Sequence, residues 1–160
     1  WRKMQTIKKP KDCSKQELDE FISLVIEGGQ VNNEGISNRV KNSLLLGFVY
    51  STETKLVAVA AIKTPAEHYK SEVFRKSRTT KNSNKYFLEL GWIYVSESYR
   101  GQGISQNLCS ELIQNVNQPI FATTACDNIP MQSVLAKLGF EKSGQPYLGH
   151  NRSLDLFLRR

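Results

Sequence analysis

Two apolar runs, LLLGFVY at 44–50 and LVAVAAI at 56–62, are joined by the polar stretch STETK. Runs of this length, rich in aliphatic and β-branched side chains and bounded by polar turn residues, read as two buried strands of a β-hairpin. A chain of 160 residues has room for one sizeable core, so a single domain over 1–160 is expected around that hairpin. With 39% hydrophobic and 23% charged residues, the composition excludes disordered and fibrous classes. No apolar stretch approaches the ~20 residues needed to span a bilayer. The opening WRKMQTIKKP has no signal-like apolar region either. The chain starts at Trp1, which leaves open a native start at Met4 or a longer chain trimmed upstream.

Around the hairpin the apolar spacing becomes helical in several places. SKQE at 14–17 has the form of a capping box, in which the Ser14 hydroxyl takes the Glu17 amide and the Glu17 carboxylate reaches back. Leu18, Phe21, Ile22, Val25 and Ile26 then recur at helical spacing until Gly28-Gly29 supplies a stop. A short helix is expected over about 36–42. Residues 64–85 hold Pro65, many charges and SRTTKNSNK, and read as a long excursion with one or two helical turns around Tyr69, Val73 and Phe74.

FLELGWIYV at 87–95 returns to strand, alternating Glu89, Gly91, Ile93 and Val95 with Leu88, Leu90, Trp92 and Tyr94. Ile104, Leu108, Leu112, Ile113 and Val116 form an apolar helical stripe, PIFATTA at 119–125 a strand, and Met131, Val134, Leu135 and Leu138 a second stripe ended by Gly139. Two short strands close the chain, around 140–147 and in LDLFLRR at 154–160. Only some strands are joined by helical crossovers, which implies an α+β (mixed α/β) fold around one mixed sheet.

The turn within YVSESYRGQGIS at 94–105 carries chemistry of its own. A glycine-bearing passage from strand to helix presents free amides at the positive end of the helix dipole, and glycine lets an anion lie against the main chain. RGQG is not a P-loop, because no GK[ST] follows, and not GxGxxG, because Gly101-Gln102-Gly103 lacks a third glycine. On the residues alone, an anion site and an ordinary structural turn both fit.

The net charge of +7, from 22 basic against 15 acidic residues, attracts anionic partners, nucleic acid and phosphorylated cofactors alike. Cys13, Cys109 and Cys126 show no CxxC spacing, which argues against a disulfide framework or zinc site and makes a reducing cytoplasm the expected compartment. His68 and His150 have no second ligand at metal spacing, so no metal is expected.

The stretch VSESYRGQGIS resembles the acyl-CoA signature of the GNAT superfamily of N-acyltransferases, V-x-x-x-x-[QR]-x-x-G-x-[GA]. Arg100 and Gly103 match it, Ile104 takes the variable apolar position, and Ser105 stands where the family has Gly or Ala. NIPMQSVLAKLGF at 128–140 resembles the family's N-x-x-A-x-x-L-Y-x-K-x-G-F, and the element order is similar to the family's β-α-α-β-β-β-α-β-α-β-β. The resemblance implies a central mixed, largely antiparallel sheet of six to seven strands with a splayed strand pair, flanked by about four helices.

It also implies acetyl-CoA as co-substrate. The amides of Gly101, Gln102, Gly103, Ile104 and Ser105 would hold its pyrophosphate, and the main chain of Ile93, Tyr94 and Val95 would pair with its pantetheine arm beside a bulge. Arg100 would add charge near the phosphates, or turn outward to a salt bridge. Asn128 would contact the cofactor, or serve as a plain helix cap.

The implied reaction is direct attack by a primary amine on the thioester in a ternary complex. It needs a base, an oxyanion partner and a way to protonate the departing thiolate. Backbone amides near Val95 would serve the oxyanion, and Glu89, on the same strand, is the candidate base, with a strand-face salt bridge as its alternative. Many relatives carry a tyrosine seven residues after the motif asparagine, where this chain has Leu135. Tyr147 is therefore the candidate acid, with Ser133 and Cys126 as other donors in the neighbourhood.

Trp92 and Tyr94 either wall an acceptor pocket or pack against a helix. The acceptor is left open among small molecules, peptides or proteins, and aminoacyl-tRNA, and both monomers and homodimers occur in the family. A CoA-binding sensor or interaction module without transfer chemistry competes with the enzyme reading, on the strength of Leu135. A nucleic-acid-binding domain rests on charge alone, so direct nucleic-acid binding is not expected, and no membrane partner is expected either.

Overall fold

In the computed structural model, which describes residues 4–29, 32–51 and 54–160, the first half runs β1 (Met4–Lys8), α1 (Lys15–Glu27), α2 (Ile36–Lys41), β2 (Leu45–Tyr50), β3 (Leu56–Lys63) and α3 (Glu67–Ser77). It continues through β4 (Leu88–Val95), α4 (Ile104–Gln114), β5 (Ile120–Ala125), α5 (Ile129–Lys137), β6 (Glu141–Leu148) and β7 (Ser153–Arg159). The strands form a seven-stranded sheet in the order β1-β2-β3-β4-β5-β7-β6. The β1–β2, β2–β3, β5–β7 and β6–β7 pairs are antiparallel, and the β4–β5 ladder, Leu88↔Ile120 and Glu89↔Phe121, is parallel. This is the mixed α+β architecture that the element order implied, with the largely antiparallel sheet that the family resemblance implied. Trp1, and residues 52 and 53 of the STETK connection, lie outside the described residues. Among the described residues no helix is long and apolar enough to cross a membrane. Contacts divide the chain into two compact units, Trp1–Lys63 with Leu90–Val116, and Thr64–Glu89 with Asn117–Arg160.

In the first unit, the capping box forms as its spacing dictates. Ser14 Oγ accepts the Glu17 amide at 3.1 Å and Glu17 Oε1 accepts the Ser14 amide at 2.8 Å, satisfying two otherwise orphaned donors. The α1 stripe of Phe21, Leu24 and Val25 packs with Ile36 and Val40 of α2 on Leu46, Phe48, Val59 and Ala61 of the hairpin. Phe21 lies edge-on to Phe48, ring centres 5.4 Å apart, and to Trp92 at 6.3 Å. The opposite face of β2 meets α4. A side chain at Gly47 would begin 2.8 Å from Leu108 Cδ1, so glycine there sets how closely α4 lies on the strand. Cover on both faces is why these strands read as continuous apolar runs.

In the second unit, β5 and β7 pair along six positions, and β6 adds to β7 with a register shift between Ser143 and Tyr147. Its core joins Val73 and Phe74 of α3 to Tyr86, Phe121, Tyr147, Leu156 and Leu158. The C-terminal end of α3 seats on the irregularity in β6. Gly144 there has φ +76°, a Cβ on it would stand 2.2 Å from the Ser77 carbonyl oxygen, and the Thr79 and Ser143 hydroxyls are 2.5 Å apart. The excursion at 64–85 thus holds an eleven-residue helix, longer than the one or two turns expected, and the described residues contain five α-helices rather than about four. The buried stripe of α3 is Lys70, Val73, Phe74 and Ser77, so half of its helical period is carried by polar residues.

Candidate active site

Strand β4 delivers the signature turn, and its regular alternation is interrupted. Trp92 has φ +52°, a left-handed conformation that is uncommon for a residue with a Cβ. Trp92 and Tyr94 pack against the core beneath α1, Lys63 Nζ lies 4.6 Å from the centre of the Trp92 ring, and the Tyr94 hydroxyl donates to Glu27 Oε2 at 2.9 Å. Of the two readings of these aromatics, helix packing is the one seen.

Beyond Val95 the chain turns through Gly101 at φ +79° and Gly103 at φ +75° before entering α4. Both values lie where side chains with a Cβ are strained, yet a Cβ at either glycine would meet no atom of the described residues within 4 Å. The backbone conformation alone demands glycine, and the space over the turn is open. Among the described residues no side chain caps the α4 N-terminus and no acidic residue occupies its first turn, so its leading amides and the dipole end lack a side-chain counterpart from the turn itself. Ile104, only 2% exposed, anchors that first turn into the core. Ser105 and Gln106 are half-buried, and Gln102 is exposed. Arg100 folds back onto the strand, where Nε donates to the Val95 carbonyl at 2.9 Å and the guanidinium lies 5.3 Å from the centre of the Tyr94 ring.

The second group of candidates belongs to the second unit. Glu89 is 3% exposed, and Tyr69 of α3 donates its hydroxyl hydrogen to Glu89 Oε2 at 2.9 Å. The Tyr69 residue is 41% exposed, so its ring edge faces solvent while its hydroxyl ends on a buried carboxylate. Tyr147 is buried, and its hydroxyl oxygen has no hydrogen-bond partner among the described residues. Burial pushes both phenols well above their ordinary ionisation range. The Glu89 charge and its hydrogen bond add to the effect at Tyr69, and the charges of Glu89, Asp155 and Cys126 add to it at Tyr147. Both therefore remain protonated donors near a carboxylate.

The other candidates divide plainly. Asn128 caps α5, its Oδ1 accepting the Met131 amide at 3.2 Å. Leu135 is 1% exposed and belongs to the packing under α5, while Ser133 is exposed. The Cys126 thiol is pushed upward, first by burial and then by the neighbouring Asp155 carboxylate, which disfavours the thiolate. His68 and His150 are exposed, and among the described residues no three His, Cys, Asp or Glu side chains group as a metal site. Tyr69 was missed as a site residue, because in the sequence it marks only a helical turn and nothing local ties its hydroxyl to Glu89.

A model of the acetyltransferase (GNAT) family matches residues 15–140. Among solved structures, an acyl-CoA N-acyltransferase from Pseudomonas aeruginosa aligns at a TM-score of 0.74 and 16% identity, over 99% of this chain and 100% of its own. Escherichia coli ElaA aligns at 0.73 and 15%, over 99% of this chain and 100% of its own. YncA from Salmonella typhimurium, solved with its cofactor acetyl-CoA, aligns at 0.63 and 14%, over 99% and 92%. These identities make the likeness one of fold. No curated protein matches the chain in sequence. A family match that spans the hairpin, the glycine turn and the Asn128 helix shows that the chain belongs to the GNAT acetyltransferase family.

Proposed function

We propose that residues 1–160 act as one acetyl-CoA-dependent N-acetyltransferase domain, transferring an acetyl group to a primary amine by direct attack in a ternary complex. The observation that carries this reading is the glycine turn: two left-handed glycines under open space lead into an uncapped helix N-terminus, in a chain of this family. That donor set fits a pyrophosphate, and the cofactor in the YncA structure supports the same choice.

Acetyl-CoA would supply the activated thioester. The amides of Gly101 to Ser105 would hold its phosphates, the main chain of Ile93, Tyr94 and Val95 its pantetheine arm, and Arg100 and Asn128 would lie along the cofactor. An amide near Val95 would donate to the oxyanion. Glu89 would take the amine proton directly or through a water, and Tyr147, a protonated phenol, would hold a proton for the departing sulfur.

The test pairs binding with turnover. Acetyl-CoA is expected to raise the melting temperature, and thiol release from it is expected with at least one member of a panel of primary amines. Absence of binding at millimolar acetyl-CoA would sink the reading. A second reading, a CoA-binding module without transfer, draws on Leu135, a packing residue at 1% exposure where relatives carry a tyrosine. Binding without turnover across the panel selects it.

A further inference from the structure

We infer that Tyr69, on α3, is a positioning residue that fixes the Glu89 carboxylate for proton transfer; this rests on the proposal that Glu89 is the base. The hydroxyl of Tyr69 donates to Glu89 Oε2 at 2.9 Å. Holding one oxygen of a planar carboxylate dictates where the other lies, which is what a base needs in order to meet a proton at a set point. Glu89 is 3% exposed, and the cost of leaving a buried charged group short of a donor makes this bond matter more than a surface one.

The helix that carries Tyr69 is built to stay in place. Val73 and Phe74 enter the core of the second unit, with the Phe74 ring 5.5 Å from that of Phe121. Ser77 is fully buried against the Gly144 kink of β6. The Lys70 ammonium, 1% exposed as a residue, is satisfied by Glu67 Oε2 at 2.9 Å and lies 4.8 Å from the centre of the Phe87 ring. The 64–85 excursion therefore presents one hydroxyl, from a fixed helix, to the carboxylate on β4.

The test compares Tyr69→Phe, Glu89→Gln, the double variant and Tyr69→Leu with wild type, using acetyl-CoA and an amine that the panel identifies. Tyr69→Phe keeps the ring and removes only the donor. It is expected to lower kcat roughly ten- to hundredfold, the scale of a hydrogen bond to a charged group, with the KM for acetyl-CoA within about twofold of wild type. Because Tyr69 acts through Glu89, the double variant is expected to be no slower than Glu89→Gln alone. Tyr69→Leu, which likewise removes the donor, is expected to give a fall of at least that size and carries the test if Tyr69→Phe does not fold. A kcat within about twofold of wild type in Tyr69→Phe, or losses that multiply in the double variant, overturns the positioning role while leaving Glu89 in place. Full activity in Glu89→Gln, or no turnover by wild type with any amine, overturns the base assignment and this inference with it.

Discussion

Tyr147 shows most sharply how a single side chain divides stability from function. Its hydroxyl is buried without a hydrogen-bond partner among the described residues, and a buried unsatisfied polar group costs about 1–3 kcal/mol. Tyr147→Phe is therefore expected to leave the melting temperature unchanged or raised while lowering kcat, measured by thermal unfolding beside thiol release. A stabilised variant with full turnover would remove Tyr147 from the mechanism. The glycines lie at the legible end of this scale. Gly101 and Gly103 carry their reason in their residue type, because φ values of +79° and +75° are ones that few other residues adopt. Trp92 lies at the other end: nothing in LELGWIYV marks the residue that takes φ +52°, since an aromatic is an improbable occupant of that conformation and only packing under α1 holds it there. Asn128 was legible as a cap, because the bond it makes spans three residues.

At the scale of elements, α3 is the part that periodicity undervalued. Its buried positions, Lys70, Val73, Phe74 and Ser77, repeat as a helix should, but two of them are polar, so a count of apolar residues sees one or two turns where eleven residues are helical. Docking of its C-terminal end is testable through Gly144. Alanine there must adopt φ +76° and place its Cβ 2.2 Å from a main-chain oxygen of Ser77, which no rotamer relieves. Gly144→Ala is expected to cost about 2–4 kcal/mol in urea unfolding, from left-handed strain plus overpacking. A wild-type midpoint would mean that α3 does not rest on β6 in solution. By contrast, α1 was readable from end to end, because the capping box and the apolar stripe are devices local to the helix and its first flanking residue.

Across the whole molecule, the surplus of seven positive charges bears on the cofactor. Acetyl-CoA is polyanionic, so its affinity is expected to weaken several-fold between about 50 and 500 mM salt as the Debye length shrinks from roughly 14 to 4 Å, measured by calorimetric titration. Salt-independent binding would assign the recognition to hydrogen bonds at the glycine turn alone. The sequence by itself determined most of the secondary elements, the buried hairpin, the mixed sheet and the turn that suits a phosphate, but not the full length of α3. Each is written in residue spacing or in backbone conformations that only certain residues adopt, and these act over a few positions of chain. What only the tertiary structure decided is which polar groups meet. Glu89 and Tyr69 come from β4 and α3, and they meet because of strand register, a kink at Gly144 and the seating of a half-polar helix, while Tyr147 of β6 is buried in the same core with its hydroxyl unpartnered among the described residues. Such convergence depends on packing between segments distant in the chain, where the spacing of residues along the sequence carries no direct record of distance.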